Sequence, residues 1–282
     1  MPASPSEARS ALPSGRHSLS LGHPALLAAG GAVCASLLFF VSGGCGPGPV
    51  FAALALLLLL VLLGNFWLGS GVFAAVLLAG PRERRFIALT FDDGPDPATT
   101  PQVLTELARH GARATFFVIG ERAQAHPALL RAMVEAGHQV ENHSLHHSWA
   151  TAFLSQARLA RELARAQAII VRATGKTPTW FRPPIGILSP SIAAAASALG
   201  LRLCGWSGKS RDGWASTTTE QAVRRLGHAL APGAILLLHD ASERSSRQTL
   251  APAILRQLLP MLAEARLQAV TLDELFDERP SR

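Results

Sequence analysis

The chain contains no tyrosine, so no phenol ring is available to a site or a core, and it has only three cysteines in 282 residues. Cys34 and Cys45 lie in an apolar front segment and Cys204 stands alone beyond it, which excludes an internal disulfide from the remainder. That absence does not exclude an oxidising compartment. Charge is missing from the front of the chain, where no Asp, Glu, Lys or Arg occurs between Arg16 and Arg82. No basic run is interleaved with aromatics, which argues against a nucleic-acid partner despite a net charge of +7. That charge, carried by scattered arginines, would instead suit anionic lipid or an acidic glycan. No internal repeat is evident.

Two long apolar runs fill the uncharged segment. Pro24 to Ser42 is long enough to cross a hydrocarbon core as a helix, and a second run starts at Val50, includes five consecutive leucines at 56–60, and ends near Leu68. The glycine- and proline-rich stretch 43–49 between them is a helix breaker. A membrane anchor over residues 24–80 is expected, in a bacterial-type inner membrane, preceded by a disordered Ser/Pro/Ala-rich head at 1–23. A cleaved signal peptide is the plainer alternative, since Arg9 and Arg16 form a basic n-region, but it leaves the second run unexplained. Cys45 is a poor lipid acceptor, with Ser42 where a larger aliphatic residue is wanted. With two spans, Arg16 on one side and Arg82, Arg84 and Arg85 on the other place both ends in the cytoplasm. If Phe66 to Ala79 also crosses, the remainder lies outside.

From Arg82 onward the chain reads as a globular α/β domain, over residues 84–276, long enough for a substantial core. Strands are predicted at 86–90, 114–118, 139–142, 179–182, 202–206, 234–238 and 268–271. Helices are predicted at 101–110, 127–136, 154–174, 189–199, 219–230 and 247–265. In the longest of them Leu159, Leu163, Ala166, Ile170 and Ala173 recur at spacings of three and four, the mark of one buried face. Alternation of strand and helix argues for a parallel sheet with helices outside it. A barrel fits better than an open sheet, because each chemically suggestive motif sits just after a strand.

Asp92-Asp93-Gly94-Pro95 follows the first of these strands. A tight turn alone would account for Asp-Gly-Pro. Two adjacent carboxylates, however, allow unequal roles, one bound to a cation and the other free to act as a base. His143 and His147 follow the third strand at a spacing of four, which over one helical turn would bring both rings to one ion. A solvated histidine-rich loop is the alternative, and His146 is a competing ligand. With Asp93 the pair makes a two-histidine, one-carboxylate set suited to Zn²⁺, with Co²⁺, Fe²⁺ or Mn²⁺ as alternatives.

These motifs, followed by Arg182-Pro183-Pro184-Ile185-Gly186 and Leu236-Leu237-Leu238-His239, occur in the order found in the polysaccharide deacetylases. The chain resembles that family, also called carbohydrate esterase family 4 or the NodB-homology domain, from about Phe86 to Leu275. The resemblance implies a partial barrel, usually of seven strands, and metal-dependent removal of an N-acyl group from an amino sugar. Carried over by motif, Asp93, His143 and His147 hold the metal and Asp92 is the base that activates water. Arg182 holds Asp92 in place and ionised, and a backbone N–H of the 182–186 turn, that of Ile185, donates to the oxyanion. Pro184 belongs to the same substrate-facing turn. His239 protonates the departing amine with Asp212 as its partner. Trp206, Trp214 and Leu238 would line the acyl pocket, with core packing as the alternative for either tryptophan.

Two departures from the family pattern bear on these roles. Ile185 stands where the family commonly has tyrosine, which keeps a backbone donor and removes a ring contact to substrate. Asp212 is separated from Trp214 by Gly213, where the family pairs Asp directly with Trp. The expected function is removal of an N-acyl group, N-acetyl foremost, from an envelope polysaccharide or glycolipid, with membrane lipid as a partner through the anchor. Two alternatives are a deformylase or deacylase of a lipid-linked sugar and a non-catalytic glycan-binding module retaining the fold.

Overall fold

The computed structural model describes residues 16–17, 22–43, 46–242 and 249–277. Cys45 and most of the expected disordered head lie outside them. Two residues of that head, Arg16–His17 (β1), pair antiparallel with Leu77–Ala79 (β2). The uncharged segment forms two helices packed side by side, Gly22–Val41 (α1) and Gly48–Phe66 (α2). Pro49 occupies the first turn of α2, where its missing N–H costs no helical bond. Among the described residues α2 is the one helix long and apolar enough to cross a bilayer, with a mean hydropathy of 2.5, and a shorter apolar stretch in α1 runs over Ala28–Val41.

The third apolar stretch, 66–79, does not form a helix. Gly69, Ser70 and Gly71 limit it to a single 3-10 turn, Leu68–Ser70, capped by Gly71 in the left-handed region, before the chain reaches β2. Leu77 bridges Cys204 and Ala79 bridges Ala234, with the Gly205 N–H donating to the Leu77 carbonyl at 2.8 Å. The stretch is apolar because Leu68, Val76 and Leu77 are buried in the domain core.

Eight parallel strands form the main sheet. In chain order they are Phe86–Asp92 (β3), Thr115–Val118 (β4), Gln139–Asn142 (β5), Trp180–Phe181 (β6), Arg202–Leu203 (β7), Gly208–Lys209 (β8), Ile235–His239 (β9) and Gln268–Val270 (β10). Their spatial order is β7-β6-β5-β4-β3-β9-β8, with β10 beside the first half of β3. The seven expected strands are therefore present. β8, two residues beginning at Gly208, is the addition, too short to show a periodic pattern.

Helices cover the outer face: Thr100–Arg109 (α3), Gly120–Ala125 (α4), Pro127–Glu135 (α5), Gln156–Thr174 (α6), Pro190–Ala198 (α7), Thr219–His228 (α8) and Ala251–Glu264 (α9), while Leu272–Phe276 (α10) packs on the inner face with Ala88, Phe117 and Ile235. α6 buries Leu159, Leu163, Ala166 and Ile170, starts where the Ser155 side chain accepts from Arg158 N–H, and ends at Gly175 in the left-handed region. α8 starts with a reciprocal box between Thr218 and Gln221.

Alternation along the strands decides what faces the barrel interior. In β3, Ile87, Leu89 and Phe91 pack against the helices, as do Leu236 and Leu238 of β9. The intervening Thr90 and Asp92, together with Leu237 and His239, therefore face inward. Asp92 pairs in register with His239, so the two meet at the C-terminal ends of adjacent strands.

Candidate active site

The two carboxylates at the end of β3 diverge at the backbone. Asp92 is the last strand residue, whereas Asp93 has φ 75°, a left-handed conformation that aspartate tolerates better than most residues. Both are buried. Arg182, wholly buried after β6, donates from Nη1 to Asp92 Oδ1 at 2.6 Å and to Thr90 Oγ1 at 2.9 Å, and from Nη2 to the Gly205 carbonyl at 2.8 Å. Its guanidinium lies 4.2 Å from the Phe117 ring centroid. The plane is thus fixed from several sides, and Asp92 Oδ1 is held with it.

His143 and His147 converge with Asp93, their ring centroids 4.8 Å apart. They do not converge over a helical turn: residues 143–148 form a loop in which Ser144 and His147 both have positive φ, 69° and 51°. Ser144 N–H donates to Asn142 Oδ1, and His147 N–H to Ser144 Oγ, which shapes this loop. His143 Nδ1 lies 2.8 Å from the Arg182 carbonyl, to which it donates, leaving Nε2 toward Asp93 Oδ1 at 3.5 Å. His147 Nε2 lies 3.2 Å from the same oxygen. His146, the competing ligand, turns away and pairs with Glu121 at 2.7 Å.

The trio fits a divalent cation. One ligand atom from each residue lies within 4.8 Å of the others, and buried Asp93 Oδ1 has no hydrogen-bond partner. Burial alone would raise the Asp93 pKa, but the imidazoles of His143, His239 and His147 outweigh it and bring it down to about 2. Burial likewise opposes charge on His143, yet Asp92 and Asp93 raise its pKa above the ordinary value. The pocket therefore favours positive charge, which a cation on two imidazoles and one carboxylate would supply.

On the opposite wall His239 Nδ1 lies 2.6 Å from Asp212 Oδ1, and its backbone N–H donates to Asp212 Oδ2 at 3.0 Å. Burial would lower the His239 pKa, but Asp212 at contact distance, with Asp93 and Asp92 behind it, pushes it up to about 10. The intervening Gly213 does not prevent the pairing expected of Asp212. Ser210 Oγ donates to Asp212 Oδ1 at 2.6 Å and fixes the carboxylate.

These groups share a cleft of about 270 Å³ whose walls include Ile185, Trp206, Lys209, Arg211, Trp214 and Leu237. Two expected lining residues are elsewhere. Leu238 is wholly buried against the outer helices, because the strand's two-residue period gives the inward position to Leu237. Pro184 is buried at the base of its turn, and the cleft is reached by Ile185 and Gly186 instead. Ile185 has φ 60°, strained for a β-branched residue, at the apex of the 184–186 turn. A side chain at Gly186, φ 72°, would run into the Trp206 ring.

Several supporting residues have no role in the motif reading. Thr90, which heads the Thr90–Pro95 motif, could have been given one from its period-two relation to Asp92. Arg122 donates to the carbonyls of Asp93 and Ser242 at 2.9 Å each, tying two loops of the rim. Asp240 N–H donates to the Asp92 carbonyl at 3.3 Å, and Asp240 Oδ2 accepts from Thr100 Oγ1 at 2.6 Å. No local sequence signal marks Arg122 or Thr100.

A model of the polysaccharide deacetylase family matches residues 79–204. The chain is 36% identical over 198 residues to a peptidoglycan-N-acetylglucosamine deacetylase of Bacillus cereus, covering 70% of this chain and 90% of that protein. It is 39% identical over 160 residues to a chitooligosaccharide deacetylase of a Bradyrhizobium species, covering 55% and 71% of the two chains. Its structure is similar to that of a family 4 acetyl xylan esterase from Clostridium thermocellum in complex with a cobalt ion. That match has a TM-score of 0.62 and 35% identity, over 68% of this chain and 90% of the other.

Proposed function

Because the chain belongs to the polysaccharide deacetylase family, a family of hydrolases, we propose that it removes an N-acyl group, N-acetyl foremost, from an amino sugar of a cell-envelope polysaccharide or glycolipid. The observation that carries this reading is one cleft holding a cation-binding trio, a pinned carboxylate and a carboxylate-backed histidine. Asp93, His143 and His147 would hold a divalent metal, with Zn²⁺ the best match to the donor set and Co²⁺, Fe²⁺ or Mn²⁺ as alternatives. When bound, the metal supplies Lewis acidity, polarising the acyl carbonyl and lowering the pKa of water.

The remaining chemistry falls to the protein. Asp92, fixed by Arg182, takes a proton from the water that attacks the amide carbon. The Ile185 N–H donates to the oxyanion; losing one such donor raises a barrier by about 3 kcal/mol. His239, protonated and oriented by Asp212, gives its proton to the sugar nitrogen as the C–N bond breaks, so that a neutral amine departs with a carboxylic acid as co-product. Trp206, Trp214 and Leu237 line the space around the acyl group.

The relatives bear on the substrate class by what they are named for, peptidoglycan N-acetylglucosamine and chitooligosaccharide. A cleft of about 270 Å³ suits one acylated sugar unit rather than several. α1 and α2 serve as a two-helix membrane anchor in this reading, since Leu58, Leu59, Leu62 and Phe66 are exposed on the outside of the pair. With two spans, Arg82, Arg84 and Arg85 just beyond α2 favour the cytoplasmic face for the domain. Proteolysis of inverted against right-side-out vesicles tests that orientation.

The reaction is tested with the full chain in detergent, by amine release from N-acetylglucosamine oligomers before and after chelation. Loss of activity on chelation and recovery with Zn²⁺ or Co²⁺ is expected. Turnover indifferent to chelator would refute the assignment of Asp93, His143 and His147.

A further inference from the structure

The mouth of the cleft has an apolar rim, and that rim is continuous with the end of the apolar helix pair. The Leu188 N–H donates to the Asn65 carbonyl at 3.1 Å, tying the last turn of α2 to the loop that carries Ile185. A 3-10 helix, Trp149–Phe153, begins two residues after His147 and packs against the 184–186 turn of that loop. Trp149 is 68% exposed and Phe153 79% exposed, in an edge-to-face pair with ring centroids 6.4 Å apart.

Two large aromatic side chains left in water forgo the stabilisation of burial, and such patches mark contact surfaces. Phe66 and Trp67, where α2 ends, are exposed as well. Tryptophan at the end of an apolar helix is the usual residue at the level of lipid headgroups. Lys209 and Arg211, exposed on the cleft wall, have no carboxylate partner among the described residues and suit anionic headgroups.

We propose that this rim rests in the interfacial layer of the bilayer, so that the cleft opens onto lipid headgroups and receives an amino sugar still attached to a membrane lipid. The substrate rests on the deacylase reading, whereas the bilayer contact rests on this surface and on the reading of α2 as a membrane span. The tie between α2 and the Ile185 loop selects the bilayer over a glycan strand as the occupant, because it holds the rim at the depth where the apolar helix ends.

The test uses the full chain reconstituted in phosphatidylcholine–phosphatidylglycerol vesicles. Tryptophan quenching by brominated acyl chains is compared between wild type and Trp149→Phe. Turnover of a soluble N-acetylglucosamine oligomer and of an N-acetylglucosaminyl lipid is compared between wild type and Trp149→Ser/Phe153→Ser. The expected result is a smaller quenched fraction in Trp149→Phe and a loss of about tenfold in kcat/KM confined to the lipid substrate in the double variant. An unchanged quenched fraction would overturn the proposal. So would equal loss on both substrates, which would make the aromatic pair a sugar platform. Quenching of Trp149 without turnover of either substrate would support the bilayer contact while removing the deacylase reading.

Discussion

Arg182 Nη1 lies 2.6 Å from Asp92 Oδ1 in a position where both side chains are shut off from solvent. The guanidinium is also fixed by Thr90, the Gly205 carbonyl and the Phe117 face, so it cannot follow Asp92 if the carboxylate moves. The base is therefore positioned by a rigid partner as well as by the strand that carries it.

Arg182→Lys keeps the charge and loses the planar fork. It is expected to lower kcat by roughly 100-fold, the lower end of a general-base contribution, with KM changed little. Arg182→Ala, which leaves a buried carboxylate unpaired, should cost about 3–5 kcal/mol of stability. Steady-state kinetics with denaturation midpoints would check both. Unaltered kcat in Arg182→Lys would show that Asp92 needs no such partner.

His239 owes its raised pKa to Asp212, against the opposing effect of burial. As the acid, it must be protonated, and a pKa of about 10 keeps it so across the neutral range. Asp212→Asn removes the main raising influence and should move the basic limb of the kcat profile to lower pH. A basic limb unmoved in the variant would assign that limb to another group.

His138 offers a pH test away from the site. Its Nδ1 accepts from Ala114 N–H at 3.2 Å, and burial, aided by Arg113, lowers its pKa to about 4. The folded value lies below the ordinary 6.5, so this group contributes its full stability above pH 6.5 and loses it as pH falls through 4. By pH 4 the loss amounts to about 3 kcal/mol. Urea midpoints between pH 7 and 4 should fall less steeply in His138→Gln than in wild type, and parallel curves would contradict the assignment.

Gly186 meets two constraints, a left-handed φ of 72° and contact with the Trp206 ring. Gly186→Ala is expected to destabilise by about 1–2 kcal/mol through the backbone alone. It should also reduce turnover by displacing the turn that carries Ile185. Thermal midpoints and kcat measured together check this, and a fully active, equally stable variant would argue against it.

The ordered motifs made the site legible in the sequence because each follows a strand, and parallel strands deliver their C-terminal ends to one rim. Asp212 was legible through the family resemblance, as the carboxylate next but one to Trp214. Spacing misled where it assumed a helix: His143 and His147 converge through left-handed residues that no periodicity announces. Leu238 was misplaced by one residue, and in a strand one residue reverses the face. Phe66 to Ala79 looked like a span because hydropathy cannot distinguish residues buried in protein from residues buried in lipid. The exposure of Trp149 and Phe153 depends on what packs around them, and only the folded chain reveals it.

The central claim, that Asp92 is the base beside a cation held by its neighbours, is tested most directly with Asp92→Asn. Bound metal and amine release from N-acetylglucosamine oligomers would be measured on the same preparations of variant and wild type. The expected result is one divalent ion per chain in both proteins and turnover reduced by about 10²–10⁴-fold in the variant alone. A variant that keeps its metal and its activity would contradict it.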